Sequence, residues 1–364
     1  MSVYAERVDR VRTAMDDQGV DVLLLSVGPD LPYLTGYEAM PLERLTMLVL
    51  PRDGGATMVV PRLEAPRVVE QPDVFAVLPW NETDDPVALV AGLAKGAGVA
   101  AIGDHTWARF LVDLIAALPA TTFQRATGVI SPIRMRKDPH EIAALRAAGA
   151  AADRVAAQLQ GGQIRMAGRT EAAVSAELSN RLLAEGHERV NFAIVASGPN
   201  GASPHHSASD RVIQPGEVVV CDFGGRLDGY CSDITRTVAV GEPPAEVAEA
   251  YAVLLAAQQA AVAAAVVGTP CEEVDAVARR IISDAGYGER FNHRTGHGIG
   301  MEEHEDPYIV AGNALALAPG HAFSVEPGIY TPGRWGMRLE DIVVATADGP
   351  DPMNRVPHEL VVVE

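Results

Sequence analysis

Two aspartates lie in apolar, strand-like sequence, where acidic residues are uncommon. Asp222 and Asp233 belong to the segment EVVVCDFGGRLDGYCSDITRTVAV, which is typical of two strands joined by a Gly-containing loop. If this hairpin is symmetric about Leu227 and Asp228, the two aspartates face each other with Cβ atoms roughly 4.5–5.5 Å apart. Carboxylates at that distance repel, so we expect a cation between them. Aspartates beside a turn are often simply solvated, and this pair alone leaves that alternative open.

A second acidic pair occurs near the C-terminus, in the segment FSVEPGIYTPGRWGMRLEDIVVA. A hairpin centred near Gly333 brings Glu326 opposite Glu340. Pro327 must end its strand or form a bulge, because proline cannot donate to the ladder. Two converging carboxylate pairs in one domain favour a shared cationic site over two solvated surfaces.

One histidine completes the set. His297 lies in RTGHGIGMEEHE, where glycines at 296, 298 and 300 allow other groups to approach the backbone closely. A single histidine in a Gly-rich turn is often structural, but four carboxylates and one imidazole balance the charge of two divalent cations. Oxygen ligands with one imidazole nitrogen favour Mn²⁺, Co²⁺, Fe²⁺ or Zn²⁺ over Mg²⁺ or Ca²⁺. These residues therefore predict a two-metal hydrolase, in which a shared water has its pKa lowered towards about 7.

The elements that must position these residues form two groups along the chain. The first third alternates a helical pattern at Glu6–Gln18 with short apolar runs typical of strands, an α/β pattern with room for one sheet. The runs are Val20–Ser26, Leu45–Leu50, Ala56–Val60 and Val99–Gly103. A boundary near residue 130 separates this pattern from a strand-rich α+β region. We predict an N-terminal domain at 1–129 and a C-terminal domain at 130–364.

The C-terminal domain begins with a strong helix signal. Asp138 can cap the helix, Pro139 suits its first position, and Glu141 completes a capping box. This helix is expected to run to about Leu159. Three further helices are expected at Thr170–Glu185, Ala245–Val267 and Glu272–Gly286. Strands are expected at Asn191–Ala196, Glu217–Gly224 and Cys231–Val240, and throughout 322–363.

Composition excludes several classes of partner. The formal net charge of −19 disfavours nucleic acid and anionic membrane surfaces. The three cysteines form no C-x-x-C motif, which fits a reducing compartment. The N-terminal sequence MSVYAERVDRVRTAM is interrupted by charges, unlike a signal peptide. The apolar stretch Tyr251–Val267 carries two glutamines and is expected to be a packed helix. We therefore expect a cytoplasmic protein without nucleic-acid or membrane partners.

At these residues the sequence resembles the pita-bread metallopeptidases, the group that includes methionine aminopeptidase, aminopeptidase P and prolidase. The five acidic and histidine positions occur in the family's order, within segments that also look like the family's. These segments are VASGPNGASPHH, VVCDFGG, YCSDITRT, HRTGHGIGMEEHE, VEPGIY and MRLEDIVV. The region around YLTGY (Tyr33–Tyr37) is similar to the creatinase-like domain that aminopeptidase P and prolidase have and methionine aminopeptidase lacks. The resemblance implies a C-terminal pita-bread domain with a smaller N-terminal α/β creatinase-like domain.

The resemblance also implies roles for the metal ligands. Asp222 would chelate one ion alone. Asp233 and Glu340 would bridge both ions. His297 and Glu326 would complete the second ion's coordination. The two ions would be Mn²⁺, with Co²⁺ or Zn²⁺ as alternatives.

Three more residues take roles from the same resemblance. His205 matches a family histidine near the scissile bond, and His304 matches one that contacts the substrate carbonyl or the developing oxyanion. Arg338 would support Glu340 from outside the metal ligands. Glu326 would also take up the proton left when the metal-bridging hydroxide attacks the carbonyl carbon. His321 stands where the family usually has a hydrophobic residue.

The expected reaction is hydrolysis of the Xaa-Pro bond of dipeptides or short peptides, and the proline preference rests on the resemblance alone. One alternative is an aminopeptidase P acting on longer peptides. Another is a non-peptidase binding or creatinase-like protein, although the complete ligand set argues against it. The resemblance further implies a homodimer.

Overall fold

The computed structural model describes residues 2–364, and the chain forms two compact units. The first unit ends at Arg134 and the second is Met135–Glu364. The predicted boundary, between residues 129 and 130, falls inside the helix Thr127–Arg134, and the division comes at the end of that helix.

The N-terminal unit is one mixed sheet with five helices. The helices are α1 (Val3–Asp17), α2 (Asp30–Thr35), α3 (Pro86–Leu93), α4 (Ala108–Ala117) and α5 (Thr127–Arg134). The strands are β1 (Val22–Leu25), β2 (Met47–Pro51), β3 (Ala56–Pro61), β4 (Phe75–Trp80), β5 (Val99–Ile102) and β6 (Thr122–Arg125). Their order in the sheet is β4-β3-β2-β1-β5-β6, so the prediction of a single sheet is confirmed.

Two strands of this sheet were absent from the sequence prediction, and both are edge strands. Strand β6 has the sequence TFQR and is mostly exposed, so it lacks the apolar run that indicates a buried strand. Strand β4 contains Pro79, which has no backbone N–H group. Proline is tolerated in an edge strand because one side of that strand has no neighbouring strand to bond.

The C-terminal unit is also built of helices and strands, with two five-stranded sheets and a two-stranded ribbon. Its helices are α6 (Pro139–Gln160), α7 (Glu171–Ala184), α8 (Ala245–Ala264) and α9 (Cys271–Asp284). Its first strands are β7 (Arg189–Ser197), β8 (Val218–Leu227), β9 (Tyr230–Cys231), β10 (Ile234–Val240), β11 (Gly296–Gly298) and β12 (Glu305–Ile309). The later strands are β13 (Ala322–Val325), β14 (Gly328–Thr331), β15 (Trp335–Arg338), β16 (Asp341–Thr346), β17 (Gly349–Pro352) and β18 (Val361–Val363).

Each sheet of the C-terminal unit is covered by a pair of helices. The order β18-β10-β8-β7 forms the first sheet, with β9 paired to β8, and its core is shared with α6 and α7. The order β12-β11-β13-β16-β17 forms the second, and its core is shared with α8 and α9. Strands β14 and β15 form a separate two-stranded ribbon.

The predicted capping box at the start of α6 is confirmed. The carboxylate of Asp138 accepts hydrogen bonds from the backbone N–H groups of His140 and Glu141, at 2.8 and 2.9 Å. The side chain of Glu141 accepts in turn from the backbone N–H of Asp138 at 3.0 Å. Three otherwise unpaired backbone N–H groups at the start of the helix are thus satisfied.

Helix α8 is the helix within residues 2–364 that is long and apolar enough, by length and composition, to cross a membrane. Core helices pass the same test. In this fold α8 buries a face spaced at helical intervals, which includes Leu254, Ala257 and Ala261, against the second sheet. The prediction of a packed helix is confirmed.

Candidate active site

The alternation of side chains along β8 and β10 decides which residues face the candidate site. Cys221, Phe223 and Ile234 point into the core shared with α6 and α7. Because successive side chains of a strand point to opposite faces, Asp222 lies on the other face, away from these helices. Asp222 and Asp233 both line a cavity there, and both are buried.

The predicted register of this hairpin is wrong by one residue at its centre. Asp222 lies opposite Thr235, not opposite Asp233. The turn falls at Asp228 and Gly229, which have positive φ angles of 50° and 79°, as a two-residue Asp-Gly hairpin turn requires. Moving the centre of the hairpin by one residue moves the residue opposite Asp222 by two, from Asp233 to Thr235. Because side chains alternate between faces, Asp233 stays on the same face as Asp222 and becomes its diagonal neighbour. The prediction that the two carboxylates converge therefore survives the register error.

The predicted register of the second hairpin is confirmed. Strand β13 pairs with β16, and β14 pairs with β15, in one common register that sets Glu326 opposite Glu340. Pro327 separates β13 from β14, as expected for a residue without an N–H group. Glu340 also forms a β-bridge with Thr235 of the first hairpin, which joins the two acidic pairs.

His297 reaches both acidic pairs. Its Nε2 atom lies 3.2 Å from Oε1 of Glu326 and 3.8 Å from Oδ2 of Asp233. Its Nδ1 atom donates to the carbonyl oxygen of Gly298 at 3.1 Å, and its Nε2 atom faces the carboxylates. A Cβ atom at position 298 would collide with the backbone of Asp306, which explains a glycine there.

The cluster could hold a metal ion. One ligand atom each from Asp233, His297 and Glu340 lies within 4.8 Å of the others. Oxygens of Asp222 and Glu326 fall outside that group, although both residues line the same cavity.

Arg338 contacts Asp222 directly, whereas the family resemblance implies that it supports Glu340. Its Nη2 atom forms an ion pair with Asp222, because β15 packs against β8 and the long side chain spans the gap. Arg338 reaches Glu340 only through Thr235, whose hydroxyl accepts from Nε of Arg338 at 3.1 Å and donates to Oε2 of Glu340 at 2.7 Å. The guanidinium also donates to the Tyr330 hydroxyl at 3.0 Å. Arg338 is thus fully committed to the cluster.

The charges of the cluster are not balanced by protein groups. Burial, followed by repulsion from the neighbouring carboxylates, raises the pKa of Asp233 and of Glu340 well above the ordinary values. Burial also raises the pKa of Asp222. Burial would raise the pKa of Glu326 too, but the hydrogen bond and the charge of His297 lower it to about 2.

Two buried carboxylate oxygens of the cluster, Oδ1 of Asp222 and Oδ1 of Asp233, have no hydrogen-bond partner in the described chain. A buried charge without a partner costs several kcal/mol. Four carboxylates and one imidazole nitrogen, with two oxygens unpaired, are the donor types that divalent transition metals prefer. The residues present therefore fit two divalent cations.

The cluster forms the floor of a cavity of about 510 Å³. Two further predicted residues, His205 and His304, line it. The ring centroid of His304 lies 3.9 Å from that of His297, and its Nδ1 lies 3.4 Å from Nη2 of Arg294. Loss of water around the ring in the cleft, and the adjacent His297 and Arg294, lower the pKa of His304 to about 4. The ring is therefore neutral at pH 7 and can donate one N–H.

A buried glutamate that the sequence analysis missed holds the segment that carries His205. Glu171 accepts hydrogen bonds from the backbone N–H and hydroxyl of Ser197 at 2.8 and 2.7 Å, and from the hydroxyl of Ser209 at 2.6 Å. His206 lies 2.8 Å from the same carboxylate. Although burial raises it, these donors lower the pKa of Glu171 to about 2. A glutamate at the start of a helix gives no sequence signal of this role.

A second missed feature lies beside His304. Lys137 and Glu305 form an ion pair in which both side chains are buried, and Glu305 begins strand β12 directly after His304. A pair of opposite charges 168 positions apart in the chain has no recognisable pattern in the sequence.

Four further residues of the C-terminal unit are held by the protein's own packing and hydrogen bonds. Arg236 pairs with Asp341 at 2.8 Å, and Cys221 is fully buried. His293 hydrogen-bonds to the Tyr330 hydroxyl at 2.8 Å, and it also lines the cavity. His321 is buried, with its Nδ1 accepting from the backbone N–H of Ala318 at 3.2 Å.

Comparison with known families agrees with this geometry. Residues 143–347 match the model of metallopeptidase family M24, and residues 7–136 match that of the creatinase/prolidase N-terminal domain. The chain belongs to metallopeptidase family M24. Its fold is accordingly a C-terminal pita-bread domain with a smaller N-terminal creatinase-like domain.

Curated relatives and solved structures of this family align over almost the whole chain. The probable dipeptidase PepE of Mycobacterium tuberculosis is 48% identical, over 99% of this chain and 97% of that protein. The Xaa-Pro dipeptidase of Lactobacillus helveticus is 39% identical, over 94% and 95%. The crystal structure of the prolidase from Thermococcus sibiricus superimposes with a TM-score of 0.94 at 36% identity, covering 100% of both chains.

Proposed function

We propose that this M24 metallopeptidase is a two-metal Xaa-Pro dipeptidase. The observation that carries the proposal is the cluster of four carboxylates and His297, with two buried oxygens unpaired, on the floor of a cavity of about 510 Å³. The relatives named Xaa-Pro dipeptidase and prolidase support the substrate class.

Asp222, Asp233, His297, Glu326 and Glu340 would hold the two ions. When bound, the ions supply Lewis acidity and an activated water at neutral pH. Around them, the protein groups bind and orient the peptide and move its protons.

The carboxylate of Glu326 can accept a proton as water adds to the peptide carbonyl, and can return it to the proline nitrogen as the C–N bond breaks. An N–H of His304 can donate to the carbonyl oxygen as negative charge develops there. His205, at the exposed mouth of the cavity, can orient the proline nitrogen that leaves.

Arg294 supports a dipeptide over a longer peptide. A dipeptide places its free carboxylate one residue beyond the scissile bond, so the cleft needs a cation there. Arg338 is committed to Asp222, whereas Arg294 lines the cavity and forms no ion pair with a carboxylate within residues 2–364. Its guanidinium lies 4.4 Å above the ring of Tyr308, which holds it flat with its donors available.

Two alternatives remain in competition with this proposal. An aminopeptidase of the P type would use the same cluster but tolerate peptide beyond the proline. A non-peptidase of the creatinase kind would not need the ligand set, which is complete here.

We extend the proposal to Mn²⁺ as the physiological ion, with Co²⁺ or Zn²⁺ as substitutes, because the donors are oxygens and one imidazole nitrogen. A cytoplasmic location is supported by three cysteines that are all buried and unpaired. The homodimer expected from the family resemblance is proposed on that basis alone. Light scattering of the purified protein at working concentration checks it, and a monomer mass rejects it.

The test compares one metal-loaded preparation on Leu-Pro, Leu-Pro-Gly and Leu-Ala. A higher kcat/KM on Leu-Pro than on the tripeptide supports a dipeptidase, and the reverse order supports an aminopeptidase. Equal rates on Leu-Ala reject the proline preference. Arg294→Gln should raise KM for Leu-Pro about tenfold or more, since a charge-assisted pair to the carboxylate is lost. Arg280→Gln, which removes an exposed arginine outside the cavity, is the matched control.

A further inference from the structure

One acidic side chain lines the cavity but belongs to neither the cluster nor an internal ion pair. Glu303 is half-buried, and within residues 2–364 it forms no hydrogen bond or ion pair. Partial burial raises the pKa of Glu303, while the charges of Arg189 and His297 lower it. A carboxylate that lines a cleft and forms no hydrogen bond or ion pair within residues 2–364 is positioned to meet a positive charge on the substrate.

Part of the wall of the cavity that Glu303 lines is apolar. Phe192 and Ile194 project from β7 into the cavity, and Pro204 lines the same space. Ile194 lies beside Asp222 in the sheet, so this wall adjoins the metal cluster. Arg189, the charge that acts on Glu303, begins the same strand β7.

Arg294 and Glu303 have different surroundings along the cleft. Arg294 contacts His304 and Tyr308, whereas the charged neighbours of Glu303 are Arg189 and His297. If Arg294 binds the carboxylate of the proline, the first residue of the dipeptide extends away from Arg294. The apolar wall and Glu303 are then available to its side chain.

We propose that Glu303 binds the side chain of the first residue, so that the enzyme favours Xaa-Pro dipeptides in which Xaa is lysine or arginine. The inference rests on the proposed dipeptidase function. The methylene stem of a lysine or arginine packs on Phe192 and Ile194, and its charged head pairs with Glu303. An acidic Xaa is disfavoured by repulsion from the same carboxylate.

A competing role for Glu303 is to bind the α-ammonium group. Every Xaa-Pro dipeptide carries that group, so loss of Glu303 would then lower the rates of all substrates equally. Side-chain recognition instead changes the ratio between a cationic substrate and a neutral one of similar length. The ratio of kcat/KM for Lys-Pro to that for Met-Pro therefore separates the two roles.

The experiment measures this ratio, and kcat/KM for Glu-Pro, in metal-loaded enzyme at low salt. The wild type should favour Lys-Pro over Met-Pro about tenfold, with Glu-Pro the poorest, and the preference should shrink at 0.5 M salt. Glu303→Gln should bring the ratio near one, and Glu303→Lys should favour Glu-Pro. Glu302→Gln, which changes the adjacent glutamate outside the cavity lining, should keep the wild-type ratio.

A wild-type ratio of one or less overturns the inference whether or not the variants fold. An unchanged ratio in a folded Glu303→Gln enzyme, with all rates lowered together, also overturns it and assigns Glu303 to the α-ammonium group. Cleavage of Met-Pro without preference for Lys-Pro leaves the dipeptidase proposal standing. Failure to cleave any Xaa-Pro dipeptide in a verified metal-loaded preparation rejects both proposals.

Discussion

The C-terminal unit buries carboxylates in two regions, and their pKa values shift in opposite directions in the two. At the cavity floor, Asp233 and Glu340 have pKa values raised well above the ordinary range, and Oδ1 of Asp233 has no partner. Under the segment that carries His205, Glu171 is also buried, yet its pKa falls to about 2. All three side chains are nearly inaccessible to solvent and all are carboxylates, so residue type does not explain the opposite shifts.

Hydrogen-bond donors explain the difference. Glu171 has N–H and O–H donors around both carboxylate oxygens, including those of Ser197, Asn200 and Ser209, so its negative charge is stabilised without an ion. At the cavity floor Asp222 pairs with Arg338 and Glu326 contacts His297, whereas Asp233 and Glu340 are repelled by the neighbouring carboxylates. A carboxylate whose two oxygens both accept hydrogen bonds has its negative charge stabilised by the protein alone. A group of carboxylates without such donors needs bound cations to balance its charge.

Among the tests of this comparison, metal removal should have the largest effect on activity. It should act on the carboxylates at the cavity floor and not on Glu171. Chelator-treated protein should lose essentially all activity and regain it with Mn²⁺ or Co²⁺, measured as Xaa-Pro hydrolysis against metal content. The fold should survive, because the helices and sheets share apolar cores that need no ion. Full activity in a preparation verified as metal-free would contradict the assignment.

Loss of one ligand tests the cavity floor residue by residue. Asp233→Asn should lower metal content and reduce kcat by at least about 10³-fold, more than the 10–100-fold typical of supporting residues. The unfolding midpoint of the metal-free protein should not fall, because the substitution removes a carboxylate that repels its neighbours. Glu340→Gln should behave in the same way. A variant that keeps two ions per chain and a near-normal rate would show that the residue is not a ligand.

Two histidines, one in each region, provide the next test of this comparison. His304 lies against His297 at the cavity floor, whereas His206 is bound to Glu171. His304→Ala should leave metal content intact and reduce kcat about 10²-fold or more, as for the loss of an oxyanion donor. His206→Ala should mainly lower the thermal unfolding midpoint. An unchanged kcat in His304→Ala would make that histidine structural.

Glu171 offers a test that should leave the metal-dependent chemistry unchanged and that depends on pH. Its folded pKa of about 2 lies below the ordinary 4.5, so the ionised form stabilises the fold above about pH 4.5, and this contribution is lost as the pH falls towards 2. Glu171→Gln should therefore lower the free energy of unfolding by about 3 kcal/mol at pH 7. The difference from the wild type, measured by denaturant titration, should shrink between pH 5 and pH 3. A constant difference across that range would mean that charge is not the cause.

Local pattern was sufficient to predict much of the fold and the composition of the candidate site. The capping box of Asp138 and Glu141 involves neighbours within one turn, so its residues carry the complete signal. The hairpin that sets Glu326 opposite Glu340 is short, and its register follows from the turn alone. The other hairpin was misregistered, but the two-residue period of a strand kept Asp222 and Asp233 on one face.

The sequence by itself determined which residue types could bind metal and which strands carry them, because both depend on spacing within a few residues. Only the tertiary structure decided how their charges are compensated, since the partners come from distant parts of the chain. Arg338 pairs with Asp222 across 116 positions, and Lys137 pairs with Glu305 across 168. The donors around Glu171 likewise lie 26 to 38 positions away. Burial and the number of donors set the pKa of each carboxylate, and both exist only after the chain has folded.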